Sequence, residues 1–260
     1  MARSFNSMAE QLEKEVRELE EKNIKLAEMQ EMRSEFVANV SHELKTPLTS
    51  IRGFVDTLRN GNITDPKVQE RFLEIIDIET ARLPQLSSDI LQLSEIEGMD
   101  NDMEIQKFDL SAVLDDVATL LDEKASEKKI AIVVEECEKL PVQASKYRIK
   151  QILINLVDNA IKYNKVGGKV YICAYREPDR MIAIRVRDTG EGIPQDHMSR
   201  VFERFYRVDK SHSREMGGTG LGLSIVKHIA QLYDGSATVE STLGLGSTFI
   251  VRLRIADDLD

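Results

Sequence analysis

Ser41-His42-Glu43-Leu44-Lys45-Thr46-Pro47 lies near the end of a long helical pattern, and the rest of the chain is organised around it. Residues four apart share a helix face, so His42 and Thr46 are expected side by side. Pro47 cannot donate to the carbonyl of Glu43, and its ring crowds that carbonyl, so a bend is expected just beyond the histidine. Taken alone, a helical histidine reads equally well as an inert surface residue.

Outward from this stretch the helix extends in both directions. Phe5, Leu12, Leu19, Leu26 and Val40 recur at heptad spacing, interrupted by Arg33. A companion series runs through Ala9, Val16, Asn23, Gln30, Val37 and Leu44. Together they describe a coiled-coil seam, and a buried Asn23 suits a parallel dimer. The competing reading is a long surface helix on a monomer. Leu48, Ile51, Val55 and Leu58 carry the pattern to about Arg59, where Asn60-Gly61-Asn62 stops it. Thr64-Asp65-Pro66 starts a second helix, with Val68, Phe72, Ile75, Ile76, Leu83, Leu86, Ile90 and Leu93 on one face, ending near Glu97-Gly98. Pro84 should bend it. One such hairpin cannot bury both stripes, whereas two hairpins close a four-helix bundle.

From Lys107 the texture changes. Strand-like runs occur at 130–134, 169–175, 181–187 and 247–251, with helical patterns near 110–127, 146–163, 195–205 and 220–233. A hairpin is expected between Tyr171 and Val186. The mixture predicts an α/β sandwich on a mixed sheet.

Composition sets limits on this reading. The 260 residues suffice for two modest domains, and a charged share of 31% suits exposed helix. A net charge of -10 argues against broad nucleic-acid binding. The two cysteines, Cys137 and Cys173, make no disulfide framework and lack metal-ligand spacing. No apolar run approaches the roughly 20 residues of a membrane span.

Three segments of the second half could hold a ligand. Asn155 and Asn159 project from one helix face, and an amide oxygen is a hard ligand suited to Mg²⁺, although paired Asn is ordinarily solvated surface. Asp188-Thr189-Gly190-Glu191-Gly192-Ile193 follows a strand; its glycines admit a planar ligand and its carboxylate can accept from an exocyclic amine. Gly217-Gly218-Thr219-Gly220-Leu221-Gly222-Leu223 leads into a helix, where backbone amides suit a phosphate chain. Arg207, Lys210 and Arg214 precede it, which suggests a basic loop that closes over phosphates. Each segment singly has an ordinary reading as a turn or surface.

In order, however, the motifs resemble the catalytic region of bacterial sensor histidine kinases. His42 to Leu48 is similar to the phospho-acceptor box, Asn155 to Asn159 to the N box, and Asp188 to Gly192 to the first glycine box. Phe202-Glu203-Arg204-Phe205 resembles the F box and Gly218 to Leu223 the second glycine box. The most similar subgroup is that of the phosphate-response and cell-wall sensors. The N-terminal Ala2 to Ala9 resembles the last helix of a HAMP linker, which implies a cytoplasmic fragment of a membrane protein.

The resemblance implies an α+β chain: a coiled coil and hairpin forming a dimeric four-helix bundle, then a gyrase-type ATP-binding sandwich. It implies a coiled-coil linker over 1–30, a dimerisation and phosphotransfer domain over 31–99, a hinge over 100–107 and a catalytic domain over 108–256. ATP and Mg²⁺ are the expected cofactors; a second copy and a response-regulator receiver domain are the expected partners. His42 would be the phosphate acceptor, Glu43 its base, and Thr46 would orient a water for dephosphorylating the regulator; Thr46 bonding its own backbone is the competing reading. Asp188 would accept from the adenine amine beside Gly190, Gly192 and Ile193, with Tyr163 over the ring. Asn159 would hold the metal, with Asn155 and Lys162 near the phosphates. Arg207 and Arg214 would neutralise charge, and Gly218, Thr219, Gly220, Leu221, Gly222 and Leu223 would surround the phosphates. His197, His212 and His228 read as surface or structural. Ser145 stands where relatives carry an acidic residue and is expected still to cap the helix. A nucleotide-binding scaffold without catalysis and a gyrase-like ATPase are the alternatives; the intact His42-Glu43 pair and the helical hairpin argue against them.

Overall fold

The computed structural model describes residues 2–61, 63, 65–98, 104–135, 139–208 and 218–257. They form two compact units that divide inside the second helix, after Ile76.

The first unit holds helix α1 (Ala2–Arg59) and the opening turns of α2 (Pro66–Gly98). Both helices end where the turn residues predict. Asn60 and Gly61 continue α1 by a single hydrogen bond each, to Asp56 and Leu58, and Gly61 takes φ +68°, which ends the helix. Asp65 Oδ1 accepts the Lys67 amide at 2.9 Å and so caps α2, with Pro66 at its first position. Phe54 and Phe72 join the two helices, ring centroids 4.7 Å apart at 51°. Pro47 and Pro84 both lie inside continuous helix.

Exposure along α1 fits an uncovered seam. Leu12, Val16, Leu19, Leu26 and Val37 are 46–62% exposed. Gln30 is exposed as well, whereas the side chains of Phe5, Ala9 and Arg33 lie outside the described residues.

The second unit, from Asp77 onward, is built on a five-stranded sheet. In chain order its elements are β1 (Gln106–Asp109), α3 (Leu110–Glu127), β2 (Ala131–Val134), β3 (Pro141–Ala144), α4 (Lys146–Lys162), β4 (Lys169–Glu177), β5 (Met181–Asp188), α5 (Gln195–Met198), α6 (Gly222–Leu232), β6 (Ser236–Thr242), β7 (Gly246–Arg254) and β8 (Ala256–Asp257). The large sheet has the order β2-β4-β5-β7-β6, parallel only at β2–β4; β1-β3-β8 form a small antiparallel one. The expected hairpin is β4–β5, with Ile172 opposite Val186.

Strand periodicity explains where the core sits. Ile182, Ile184 and Val186 face one side of β5 and pair with Leu253, Val251 and Phe249 of β7. All six are at most 5% exposed, and α3, α4 and α6 contact this sheet. Asp188 continues the same even-numbered row, so register alone delivers a carboxylate to the helix-covered side.

Sequence and structure differ in three places. The helix expected near 195–205 stops at Met198: the Arg200 and Glu203 amides reach back only three residues, and Phe205, at φ +61°, donates its amide to Gly220. Strands β1, β3, β6 and β8 carry weak patterns, being short or one-faced. Ser145 occupies the N-cap position of α4 but makes no side-chain cap; its amide instead donates to the Tyr233 hydroxyl at 3.0 Å. Of the expected hinge, 100–103 lies outside the described residues and 106–107 opens β1.

Candidate nucleotide site

Helix α4 divides cleanly by face. Ile149, Ile152, Leu153, Leu156, Val157, Ala160 and Ile161 are buried in the core. Gln151, Asn155, Asp158, Asn159 and Lys162 follow the three-four spacing of the opposite face. Asn155, Asp158, Asn159 and Lys162 line a cavity of about 560 Å³, within the usual range for a small-molecule site. Tyr163, Asp188, Gly192, Ile193, Arg207 and much of the glycine-rich segment line it too.

Asp188 is 8% exposed. Its Oδ1 accepts the amides of Gly190 at 2.8 Å and Ser247 at 3.2 Å, and Oδ2 takes part in neither bond. Burial pushes its carboxyl above the ordinary value, although the two amides pull the other way. One carboxylate oxygen is thus fixed by the fold, on a residue that lines the cavity. Gly190 stands behind it, its Cα so close to the Tyr163 carbonyl that a Cβ would lie 2.3 Å away. Gly192 adopts φ +71°, and a Cβ there would meet the Thr242 carbonyl at 2.2 Å. The Ile193 amide is held by Ser241 Oγ at 2.8 Å.

Asn155 anchors its Nδ2 on the Gln151 carbonyl at 3.0 Å, leaving its oxygen beside Gly222. Asn159 lines the cavity one turn on. Lys162, expected near phosphates, is ion-paired with Asp158 at 2.8 Å, and Lys124 of α3 also pairs with Asp158. Burial pushes the Asp158 carboxyl up, but Lys162 and Lys124 outweigh it and the net direction is down.

The glycine-rich segment enters α6 as expected. Gly218, Thr219, Gly220, Gly222 and Leu223 line the cavity; Leu221 is fully buried and donates its amide to Thr219 Oγ1 at 3.3 Å. Arg207 Nη2 donates to the Thr219 carbonyl at 3.0 Å. Lys210, His212 and Arg214 lie outside the described residues. The remaining histidines have structural partners: His197 with the Tyr206 hydroxyl, and His228 between the Ser224 carbonyl and Arg204.

Residues that sequence reasoning missed are Lys124, Asp158, Ser247 and Phe249, besides Gln85 and Asp89 of α2, all lining the cavity. Asp158 was legible in principle, sitting between the paired asparagines. The others arrive from distant elements and carry no local signal.

In the first unit, His42 is exposed on α1, flanked in space by Lys45, Thr46 and Thr49 along a groove that Phe54 and Phe72 close. Thr46 Oγ1 donates to the His42 carbonyl at 3.1 Å, the local backbone bond of a helical threonine. No helix among the described residues is long and apolar enough to cross a membrane.

Residues 144–257 match the family of histidine kinase-, DNA gyrase B- and HSP90-like ATPases, and residues 32–98 match the His Kinase A (phospho-acceptor) domain. Sensor protein SrrB of Staphylococcus aureus is 36% identical over 228 residues, covering 86% of this chain and 38% of that protein. The chain therefore spans well under half the length of the curated relatives it matches. Full-length ShkA, solved in complex with AMPPNP, aligns with a TM-score of 0.63 at 28% identity, over 86% of this chain and 46% of that one. The histidine kinase ThkA, solved in complex with the response regulator protein TrrA, aligns at 0.65 and 29%, over 84% and 60%.

Proposed function

We propose, because the chain belongs to the bacterial sensor histidine kinases, that it phosphorylates its own His42 from ATP and passes the phosphoryl group to a response-regulator aspartate. The carrying observation is the presence in one chain of an exposed His42 beside Glu43 and of a cavity holding Asp188, Asn155 and Asn159 next to a glycine-rich segment. ShkA with AMPPNP supports ATP as the donor, and ThkA with TrrA supports a receiver domain as the acceptor.

Asp188 accepts from the exocyclic amine of adenine, Gly190, Gly192 and Ile193 shape the wall behind it, and Tyr163 covers the ring. Asn155, Lys162, Arg207 and the amides from Gly218 to Leu223 face the phosphates, with Arg214 in the same role; phosphoryl transfer depends chiefly on such positioning and charge. Among the described residues no group of three or more His, Cys, Asp or Glu side chains could hold a metal ion. A magnesium ion carried in on phosphates needs only one or two protein oxygens, and the amide of Asn159 fits that need. Bound there, it neutralises phosphate charge.

One imidazole nitrogen of neutral His42 attacks the γ-phosphorus as the bond to the ADP oxygen breaks. Glu43 takes the proton from the other ring nitrogen. Thr46 serves a second activity, positioning water for dephosphorylation of the regulator. The exposed seam of α1 supports a homodimer whose paired hairpins make the four-helix bundle. On this reading 1–30 is a coiled-coil linker, 31–99 the phosphotransfer domain, 100–107 the hinge and 108–256 the catalytic domain.

Incubation with γ-labelled ATP and Mg²⁺ tests the proposal. Acid-labile, base-stable label on the wild type and none on His42→Ala is expected; label persisting on that variant would sink it.

A further inference from the structure

The mechanism leaves one buried carboxylate in the cavity without a role. Asp89, on the second half of α2, is only 6% exposed and lines the same cavity as Asn155, Asn159 and Lys162. Its Oδ2 accepts the hydroxyl of Thr219, inside the glycine-rich segment, and its Oδ1 accepts Gln85 Nε2 at 2.7 Å. Lys162, which lines the cavity with it, pulls its carboxyl down and Asp158 pushes it up, both more weakly than burial does. Gln85, Asp89 and Gln92 share one face of α2, and Gln92 Oε1 accepts Gln151 Nε2 of α4 at 2.6 Å. Thr219 is itself buried, with its carbonyl held by Arg207 and its hydroxyl by Asp89.

A carboxylate does not belong at the phosphate end of a nucleotide site by chance of packing. Burying a charge is unfavourable unless it is paired, and burial pushes this carboxyl above its ordinary value. The Thr219 hydroxyl offsets that cost first, then Gln85 of the same helix and, more weakly, Lys162; of these, Thr219 and Lys162 are groups that a phosphate oxygen would use. Two anions cannot share those groups.

We propose that Asp89 is an internal stand-in for a nucleotide phosphate, so that docking of the second half of α2 on the α/β domain and occupation of the triphosphate end exclude each other. This rests on the nucleotide-binding part of the proposed function. Arg207 belongs to the same device: while it holds the Thr219 carbonyl it is committed to the docked loop. Nucleotide binding would then release the helix, which couples loading of the cavity to freedom of α2.

The coupling has a measurable signature, because affinity for a competent state is reduced by the fraction of time that state is populated. Affinity for Mg-AMPPNP and for adenosine is measured by calorimetry on the full 260-residue chain, wild type against Asp89→Ala and Asp89→Asn. Asp89→Ala is expected to bind Mg-AMPPNP about tenfold tighter with adenosine affinity unchanged, and Asp89→Asn to gain less, since it keeps the hydrogen bonds without the charge. Thermal unfolding checks that each variant is folded, and Asp89→Asn, of the same shape, carries the test if Asp89→Ala does not fold. Unchanged or weaker Mg-AMPPNP binding, or an equal gain for adenosine, overturns the stand-in role alone. A wild-type chain that binds neither ligand overturns it together with the nucleotide reading.

Discussion

Asp188 and Ser247 stand 59 residues apart in the chain, yet the Ser247 amide donates to Asp188 Oδ1 at 3.2 Å. The bond exists because β5 and β7 are neighbours, and with the Gly190 amide it fixes one carboxylate oxygen. Asp188→Asn keeps an oxygen for the two amides but turns a donor toward the adenine amine. ADP affinity is expected to fall about 10- to 100-fold, the worth of a hydrogen bond to a charged group. The acid limb is the sharper readout. Burial raises the native carboxyl above its ordinary value of 3.8, so the ionised acceptor, and ADP binding with it, is lost on acidification earlier than for a free aspartate. The same shift means that the carboxyl's contribution to stability is present below pH 3.8 and declines as pH rises through the native value. Calorimetric titration with ADP across pH should show this limb in the wild type and not in Asp188→Asn; identical profiles would remove Asp188 from the site.

Asp158 gathers Lys124 and Lys162 at the cavity edge, and its side chain is 21% exposed. Asp158→Ala leaves two lysines facing each other and is expected to cost about 2 kcal/mol, less than a fully buried pair because water reaches this one. Since the native carboxyl lies below its ordinary value, the stabilisation is present above pH 3.8 and lost as pH falls through the lowered value. Urea unfolding of wild type and variant should therefore converge at acid pH; a gap that persists there would contradict the ion-pair account.

The exposed series on α1 should be a contact in solution. Leu19 and Leu26 are 59% and 56% exposed in the single chain. Replacing both with Lys places like charges in the seam, which coiled coils do not tolerate. Sedimentation velocity is expected to show a dimer for the wild type and a weaker dimer or monomer for the double variant; no change would leave the seam as a surface helix.

Thr46 donates to the His42 carbonyl, so a purely local role would cost little when removed. Thr46→Ala is expected to retain autophosphorylation and to slow dephosphorylation of the phosphorylated regulator. Regulator turnover at the wild-type rate would assign Thr46 to the backbone bond alone.

Much of this protein is written locally. The heptad of α1, the stop at Asn60-Gly61 and the Asp65 cap set the two long helices, because capping and side-chain periodicity act within a few residues. Strands β4 and β5 were legible for the same reason: their alternation spans eight or nine residues. The nucleotide motifs were legible because glycines and amides at fixed spacing mark backbone that must come close to something. The helix expected past Met198 failed where the chain turns to bond Gly220, a partner 15 residues on that no local pattern announces. Register placed Asp188 on the core side and strand order brought Ser247 to it; neither is a property of either segment. Asp89 is the clearest case. In sequence it is one polar residue on an amphipathic helix, and only the folding of that helix against the glycine-rich segment makes it a buried anion beside Lys162. Short-range periodicity and capping determine which elements form, whereas the burial of a charge depends on what packs around it.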